Sequence, residues 1–140
     1  MFSQLGFKSV TVTGHKDKHL EYGLDMWMKF QIPTKHFLYF GVQAKRNKLD
    51  STANSKNENI AQVLNQILMM LENPVRDPET NTRQLLDHVF IVSAGEITKQ
   101  AKKWLEDILN KESRRHVMFL DRDQLLDILV GVKLPVLEKY

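Results

Sequence analysis

Leu24-Asp25-Met26-Trp27-Met28-Lys29-Phe30-Gln31-Ile32 alternates at period two. Leu24, Met26, Met28 and Phe30 share one face, and Asp25, Trp27, Lys29 and Gln31 share the other, the pattern of a β-strand. Ile32-Pro33-Thr34-Lys35 then supplies a turn, with Pro33 ending the ladder because it has no N–H to donate. Residues 36–45, from His36 to Lys45, alternate again: Tyr39, Gly41, Gln43 and Lys45 point one way, and Leu38, Phe40, Val42 and Ala44 the other. Two such strands joined by a short turn make an antiparallel hairpin, so Asp25 can face Gln43 and Lys45. Upstream, Val10 and Val12 alternate with polar residues and predict a preceding strand.

Downstream the period becomes helical. Ile60, Val63, Leu64, Ile67, Leu68 and Leu71 fall at i, i+3, i+4, i+7, i+8 and i+11, and Ser55 with Glu58 three residues on forms a capping-box signature. Asn73-Pro74 ends that helix, and residues 73–83, with Pro74, Pro78 and several polar side chains, read as an exposed loop and a flexible insertion. Residues 88–94 form a short apolar run expected to be a strand buried on both faces. A second amphipathic helix follows, with Ala101, Trp104, Leu105, Ile108 and Leu109 on its buried stripe; then come a strand at 116–120 and a last helix starting near Asp121. Strand, helix, strand, helix implies parallel pairing with right-handed crossovers. The expected fold class is therefore α/β: a mixed central sheet, antiparallel hairpin strands first and parallel strands after, flanked by helices. No internal repeat or low-complexity segment interrupts it.

At 140 residues the chain is one domain long, enough for a single core. A net charge of +3 and a pI near 9.1 lean toward polyanionic partners without requiring one. The absence of cysteine excludes disulfides and thiolate zinc sites. No apolar run approaches the ~18 residues of a membrane helix, and the N-terminus lacks the layout of a signal peptide, so a soluble, cytoplasmic protein with no membrane partner is expected.

The hairpin carries the chemistry. Phosphodiester hydrolysis needs a cation to bind a phosphate oxygen and acidify a water, and Mg²⁺ is held by one or two carboxylates plus waters and substrate. Asp25 can supply the anchoring oxygen and Gln43 a weaker, neutral one; Lys45 can orient the attacking water or stabilise charge on the phosphorane. Arg46 and Lys48 follow Lys45, and Lys99, Lys102 and Lys103 cluster on the polar face of the second helix. Such groups suit phosphate contacts as well as they suit solvent. Gln62 and Gln66 lie one turn apart, opposite the apolar stripe, where an exposed helix face is the default. His15 and His19, four apart in a polar loop, have no third ligand and read as solvated histidines. Trp104 reads as core.

Gly23-Leu24-Asp25 followed by Gln43-Ala44-Lys45 resembles the G-x-D and Q-x-K motifs of Mrr-like restriction endonucleases, a branch of the PD-(D/E)xK nuclease superfamily in which glutamine replaces the second acid. Leu5-Gly6-Phe7-Lys8 before a strand ending in Thr13-Gly14 looks like that family's first segment. Residues 90–96 followed by Ala101 look like its fourth strand and next helix, and Phe119-Leu120-Asp121 with Leu125, Leu126 and Leu129 like its closing strand and helix. The order and spacing of these motifs cover nearly the whole chain.

The resemblance implies a restriction-endonuclease-like domain over residues 1–140 that hydrolyses DNA with Mg²⁺ or Mn²⁺ in a restriction or defence role. Asp25, Gln43 and Lys45 would be catalytic, Asp25 and Gln43 would hold the metal, and Arg46, Lys48 and Gln62 would contact nucleic acid. It also implies a homodimer, to cut both strands, and target recognition on additional domains. Two features depart from the family. Its members carry a glutamate on a helix before the first strand, which Met1-Phe2-Ser3-Gln4 begins too late to hold; this implies an excised domain of a longer protein or a truncated helix, with Glu21 as a substitute metal ligand. The polar stretch 46–57 is also longer than the family's. The missing acid and the neutral Gln43 keep a second reading open: a nuclease fold without catalysis, serving nucleic-acid binding or protein interaction.

Overall fold

Strand β1 (Lys8–Val12) pairs antiparallel with β2 (Met26–Gln31), which pairs antiparallel with β3 (Phe37–Lys45), Met26 opposite Val42 and Gln31 opposite Phe37. These pairings come from a computed structural model that describes residues 2–12, 24–50 and 60–137. The β2–β3 turn is closed by hydrogen bonds from the Ile32 amide to the His36 carbonyl (2.9 Å) and from the Lys35 amide to the Ile32 carbonyl (2.8 Å). Lys35 takes φ 70° to make it. The strands lie within two residues of the alternating stretches that predict them.

Helix α1 (Ile60–Glu72) leads to a small antiparallel pair, β4 (Val75–Asp77) and β5 (Thr82–Gln84), and then to β6 (His88–Ser93). Helix α2 (Lys99–Ile108) and a single turn, α3 (Lys111–Arg114), precede β7 (Val117–Leu120), and α4 (Arg122–Leu137) follows it. The main sheet has the order β1-β2-β3-β6-β7. The β3–β6 and β6–β7 pairs are parallel, with Lys45 beside Ser93 and Val89 beside Val117. The chain thus has the expected α/β architecture, an antiparallel meander continued by parallel strands and flanked by helices. No helix among the described residues is long and apolar enough to cross a membrane.

Both faces of the sheet are covered. On one, Trp27, Tyr39, Val89 and Ile91 pack with Val63, Ile67 and Met70 of α1 and Ala101 and Leu105 of α2. On the other, Met28, Phe40 and Val42 pack with Phe2, Phe7 and Phe90; the Phe7 ring lies 5.1 Å from Phe40 and 5.3 Å from Phe30. Each large side chain fully removed from water contributes roughly 1.5–3 kcal/mol. The double cover means that alternation in β2 separates two cores rather than core from solvent.

Four expectations need correction. Residues 73–83 are not a flexible loop: they hold β4 and most of β5, and Val75 and Asp77 alternate inward. The buried side chains of α1 are Val63, Gln66, Ile67 and Met70, while Ile60, Leu64, Leu68 and Leu71 pack half-buried against the same core, so the helix is rotated part-way from its most apolar stripe and Gln66 is inside. Ile108 is half exposed rather than on a buried stripe, and Trp104 only partly covers the core. Strand β6 buries Val89, Ile91 and Ser93 on one face but leaves His88, Phe90 and Val92 half-buried on the other. The Ser55–Glu58 capping signature lies outside the described residues.

The β4–β5 pair is fastened by buried charge. Lys29, 1% exposed, donates to the Asp77 carboxylate at 2.9 Å and to Glu79, and its ammonium lies 4.5 Å from the Phe37 ring centroid. The Tyr39 hydroxyl donates to the same Asp77 oxygen at 2.6 Å, and the Glu79 amide donates to the other at 3.0 Å. Burial alone would raise the Asp77 pKa, but the Tyr39 and Lys29 hydrogen bonds hold it below the ordinary carboxylate value. Burial works against the Lys29 ammonium, and the Glu79 and Asp77 carboxylates outweigh it, leaving its pKa raised. Burial pushes the Tyr39 phenol up as well, with Asp77 adding to the effect.

Candidate active site

Strands β3, β6 and β7 run parallel, so their carboxyl ends share one edge of the sheet, and β2, antiparallel to β3, begins there. Ligand sites of open α/β sheets form at such an edge. Asp25 sits just before β2. Its amide donates to the Val42 carbonyl (3.0 Å) and its carboxylate accepts the Ala44 amide (2.8 Å), which fixes the side chain against the end of β3.

Extending the β2–β3 register by one residue from the Met26–Val42 pair puts Asp25 opposite Gln43. Gln43 is 0% exposed, and neither its amide oxygen nor its amide nitrogen has a hydrogen-bond partner. Leaving such groups uncompensated costs about 1–3 kcal/mol each. Lys45, half-buried and two residues on, shares the Gln43 face by strand parity. Asp25, Gln43 and Lys45 are therefore assembled at one corner of the sheet, as their spacing predicts.

The segment after Lys45 is bolted to the segment after β6. The Ala94 amide donates to the Lys45 carbonyl (2.9 Å), the Leu49 amide to the Glu96 carbonyl (2.9 Å) and the Thr98 amide to the Leu49 carbonyl (3.0 Å). The Ser93 hydroxyl donates to the Asn47 carbonyl (2.9 Å) and accepts the Gly95 amide (3.0 Å). A Cβ on Gly95 would come within 2.8 Å of the Lys48 backbone nitrogen, so only glycine allows the two segments to approach so closely. Thr98 caps α2 through the Ala101 amide (3.1 Å) and donates to Asp50 (3.0 Å).

Arg46 and Lys48 are exposed beside this corner. Lys48 lines an open cleft of about 540 Å³ with Asp50, Glu96, Thr98, Lys99 and Lys103. Its ammonium lies 4.0 Å from Asp50 and 3.7 Å from Glu96, loose surface pairs of little energetic weight that offset the lysine charge. Gln62 is exposed near the start of α1, whereas Gln66, one turn on, is 5% exposed with an unpartnered Oε1. Sequence reading placed Gln66 on the wrong side. The signal was present, since Val63, Gln66, Ile67 and Met70 form a second i, i+3, i+4, i+7 stripe beside the more apolar one.

Among the described residues no three of His, Cys, Asp and Glu converge as a metal cluster. Glu21, His15 and His19 lie outside the described residues. Among the described residues the side-chain oxygens of the corner are the Asp25 carboxylate and the Gln43 amide carbonyl. That set fits Mg²⁺ or Mn²⁺, which take few protein oxygens and keep waters, and does not fit zinc, which asks for three or four side-chain ligands. No family model matches the chain, and neither a curated protein nor a solved structure matches it.

Proposed function

We propose that this chain is a metal-dependent nuclease domain that hydrolyses DNA phosphodiester bonds, with its active site at the Asp25–Gln43–Lys45 corner. The observation that carries the reading is a carboxylate just before β2, locked by the Ala44 amide, and an ammonium at the end of the paired strand β3, beside a buried glutamine amide with no partner. A bound Mg²⁺ or Mn²⁺ would polarise the scissile phosphate and acidify a water. Asp25 supplies the anchoring carboxylate and Gln43 a neutral oxygen. Lys45 hydrogen-bonds the attacking water or the phosphate oxygen on which charge gathers. Arg46 and Lys48, exposed beside the corner, track the backbone, with Gln62 as a further contact. Such phosphate contacts are independent of sequence, so target choice in a restriction or defence role belongs to other domains, and a second copy serves the second strand. The setting is the cytoplasm.

One observation favours a second reading, a nuclease-fold module that binds nucleic acid or protein without cutting it: Gln43 is wholly buried, and a ligand must be reachable. The two readings separate on supercoiled plasmid incubated with the purified chain in Mg²⁺, in Mn²⁺ and in EDTA, beside Lys45→Ala. Nicking that needs metal and falls at least about a hundredfold in the variant is the expected result, the size of effect seen when one charge-stabilising donor is removed. Absence of cleavage in every metal would leave the binding module standing instead.

A further inference from the structure

The β4–β5 hairpin divides its charges between two duties. Its acids, Asp77 and Glu79, are both engaged by the Lys29 ammonium, and Asp77 also accepts the Tyr39 hydroxyl. Its bases, Arg76 and Arg83, are exposed, and they are direct cross-strand partners. Arg76 lies between Val75 and Asp77, which are buried, so by strand parity both arginines stand on the side turned away from the core. Residues directly opposite on an antiparallel pair have Cβ atoms about 4.5–5.5 Å apart, and like charges there destabilise the pair.

No carboxylate offsets that repulsion. Arg76 donates to the Asn81 side-chain oxygen (2.7 Å), a neutral acceptor, and among the described residues neither guanidinium forms an ion pair. A pair of three-residue strands has little stability of its own, so a repulsive cross-strand pair does nothing to hold it. The hairpin is held instead by the buried Lys29–Asp77 ion pair, whose desolvation is itself costly. The result is a ridge fixed to the sheet from beneath that carries two adjacent, permanently charged forks on its outer side.

Exposed guanidiniums on a ridge have no walls to enclose a small anion. They suit an extended one, and arginine matches phosphate oxygens with paired N–H donors. The place of the hairpin in the fold points to which polyanion. Its anchors, Lys29 and Tyr39, lie four residues along their strands from Asp25 and Gln43 of the candidate site, and Tyr39 shares the Gln43 face by parity. Four residues of strand span about 13 Å, the rise of about four base pairs of duplex at ~3.4 Å each.

We propose that the β4–β5 hairpin is a backbone-binding arm of this domain, Arg76 and Arg83 holding phosphate oxygens of DNA a few base pairs from the bond that the Asp25–Gln43–Lys45 corner cleaves. The choice of DNA rests on the nuclease reading, and the two arginines are additional to the contacts assigned to Arg46, Lys48 and Gln62.

The test is binding of a short labelled DNA duplex in EDTA, where metal-dependent cleavage is blocked, read by fluorescence anisotropy over a series of NaCl concentrations. Wild type is set beside Arg76→Ala, Arg83→Ala, the double alanine variant, the double lysine variant and Lys111→Ala, which removes an exposed charge elsewhere. The slope of log K against log salt is expected to become shallower by about 0.9 for each arginine lost. It should keep the wild-type value in the double lysine variant and in Lys111→Ala. Removing a like-charge pair from the surface should leave the thermal unfolding midpoint no lower than that of wild type, so weakened binding reports a lost contact and not a lost fold. Slopes unchanged in the arginine variants, or lowered equally by Lys111→Ala, overturn the inference. So does absence of binding by wild type, or competition by poly-glutamate as strong as that by unlabelled duplex. Failure of the nuclease reading looks different: plasmid left uncut in Mg²⁺ and Mn²⁺ by a chain whose duplex binding still depends on both arginines would remove catalysis and keep the arm.

Discussion

Replacing Lys29 by alanine is expected to cost about 3–5 kcal/mol of folding stability, the range for breaking a buried ion pair from one side. The ammonium is 1% exposed and Asp77 is 0% exposed, so truncation leaves a carboxylate with the Tyr39 hydroxyl and the Glu79 amide but no countercharge. The loss should depend on pH. The pKa of Asp77 is depressed in the folded state, so its contribution is fully present above the unfolded value of about 3.9 and disappears as pH falls through the folded one. The pKa of Lys29 is raised, so its contribution is present below about 10.4 and is lost as pH rises through the folded value. Wild type and variant should therefore differ most near neutrality and converge in acid. Urea unfolding at pH 7 and at pH 3 measures both; a difference under about 1 kcal/mol at pH 7, the level of an exposed pair, would mean that the charges are hydrated after all.

Asp25→Asn is expected to lower metal-dependent cleavage by at least about a thousandfold, equivalent to ~4 kcal/mol of transition-state stabilisation, while the fold persists. Asparagine keeps an oxygen in reach of the Ala44 amide, so the lock on the end of β3 can survive. Asp25→Ala removes that acceptor too and should add a stability loss of about 1 kcal/mol, the net worth of one hydrogen bond. The pair of variants thus separates the structural duty of this carboxylate from its proposed catalytic one. Plasmid nicking and urea midpoints, taken on the same preparations, give the two readouts. Cleavage near the wild-type rate in Asp25→Asn would remove Asp25 from the site, and with it the proposed mechanism.

The hairpin was legible because strand alternation is local. Residues 24–32 and 36–45 contain both strands, and parity alone put Asp25, Gln43 and Lys45 on one side. What lies over a strand is not local. Alternation in β2 gives two faces, but nothing in it says that both are covered, so the burial of Lys29 could not be read from its surroundings; its partner Asp77 is 48 residues away in a stretch whose prolines mimic a loop. Strands of three residues, such as β4 and β5, are too short to show a period. The rotation of α1 has a similar origin. Apolar content predicts which face a helix prefers, and the sheet together with α2 determines which face it buries, so Gln66 is buried while Leu68 is only partly covered. At the site, the identity of Asp25 and Lys45 was readable, whereas the lock from Ala44 and the orphaned amides needed coordinates.

Strand β7 is the last strand of the sheet, and it is only four residues long. Arg114, Arg115 and His116 precede it and Asp121, Arg122 and Asp123 follow it. Any other chain adding a strand alongside would have to strip water from those charges to satisfy four residues' worth of main-chain groups. A short edge bracketed by charge is how natural sheets discourage edge-to-edge growth. The parallel half of the molecule is thereby guarded against aggregation at the edge where, among the described residues, no further strand pairs with β7.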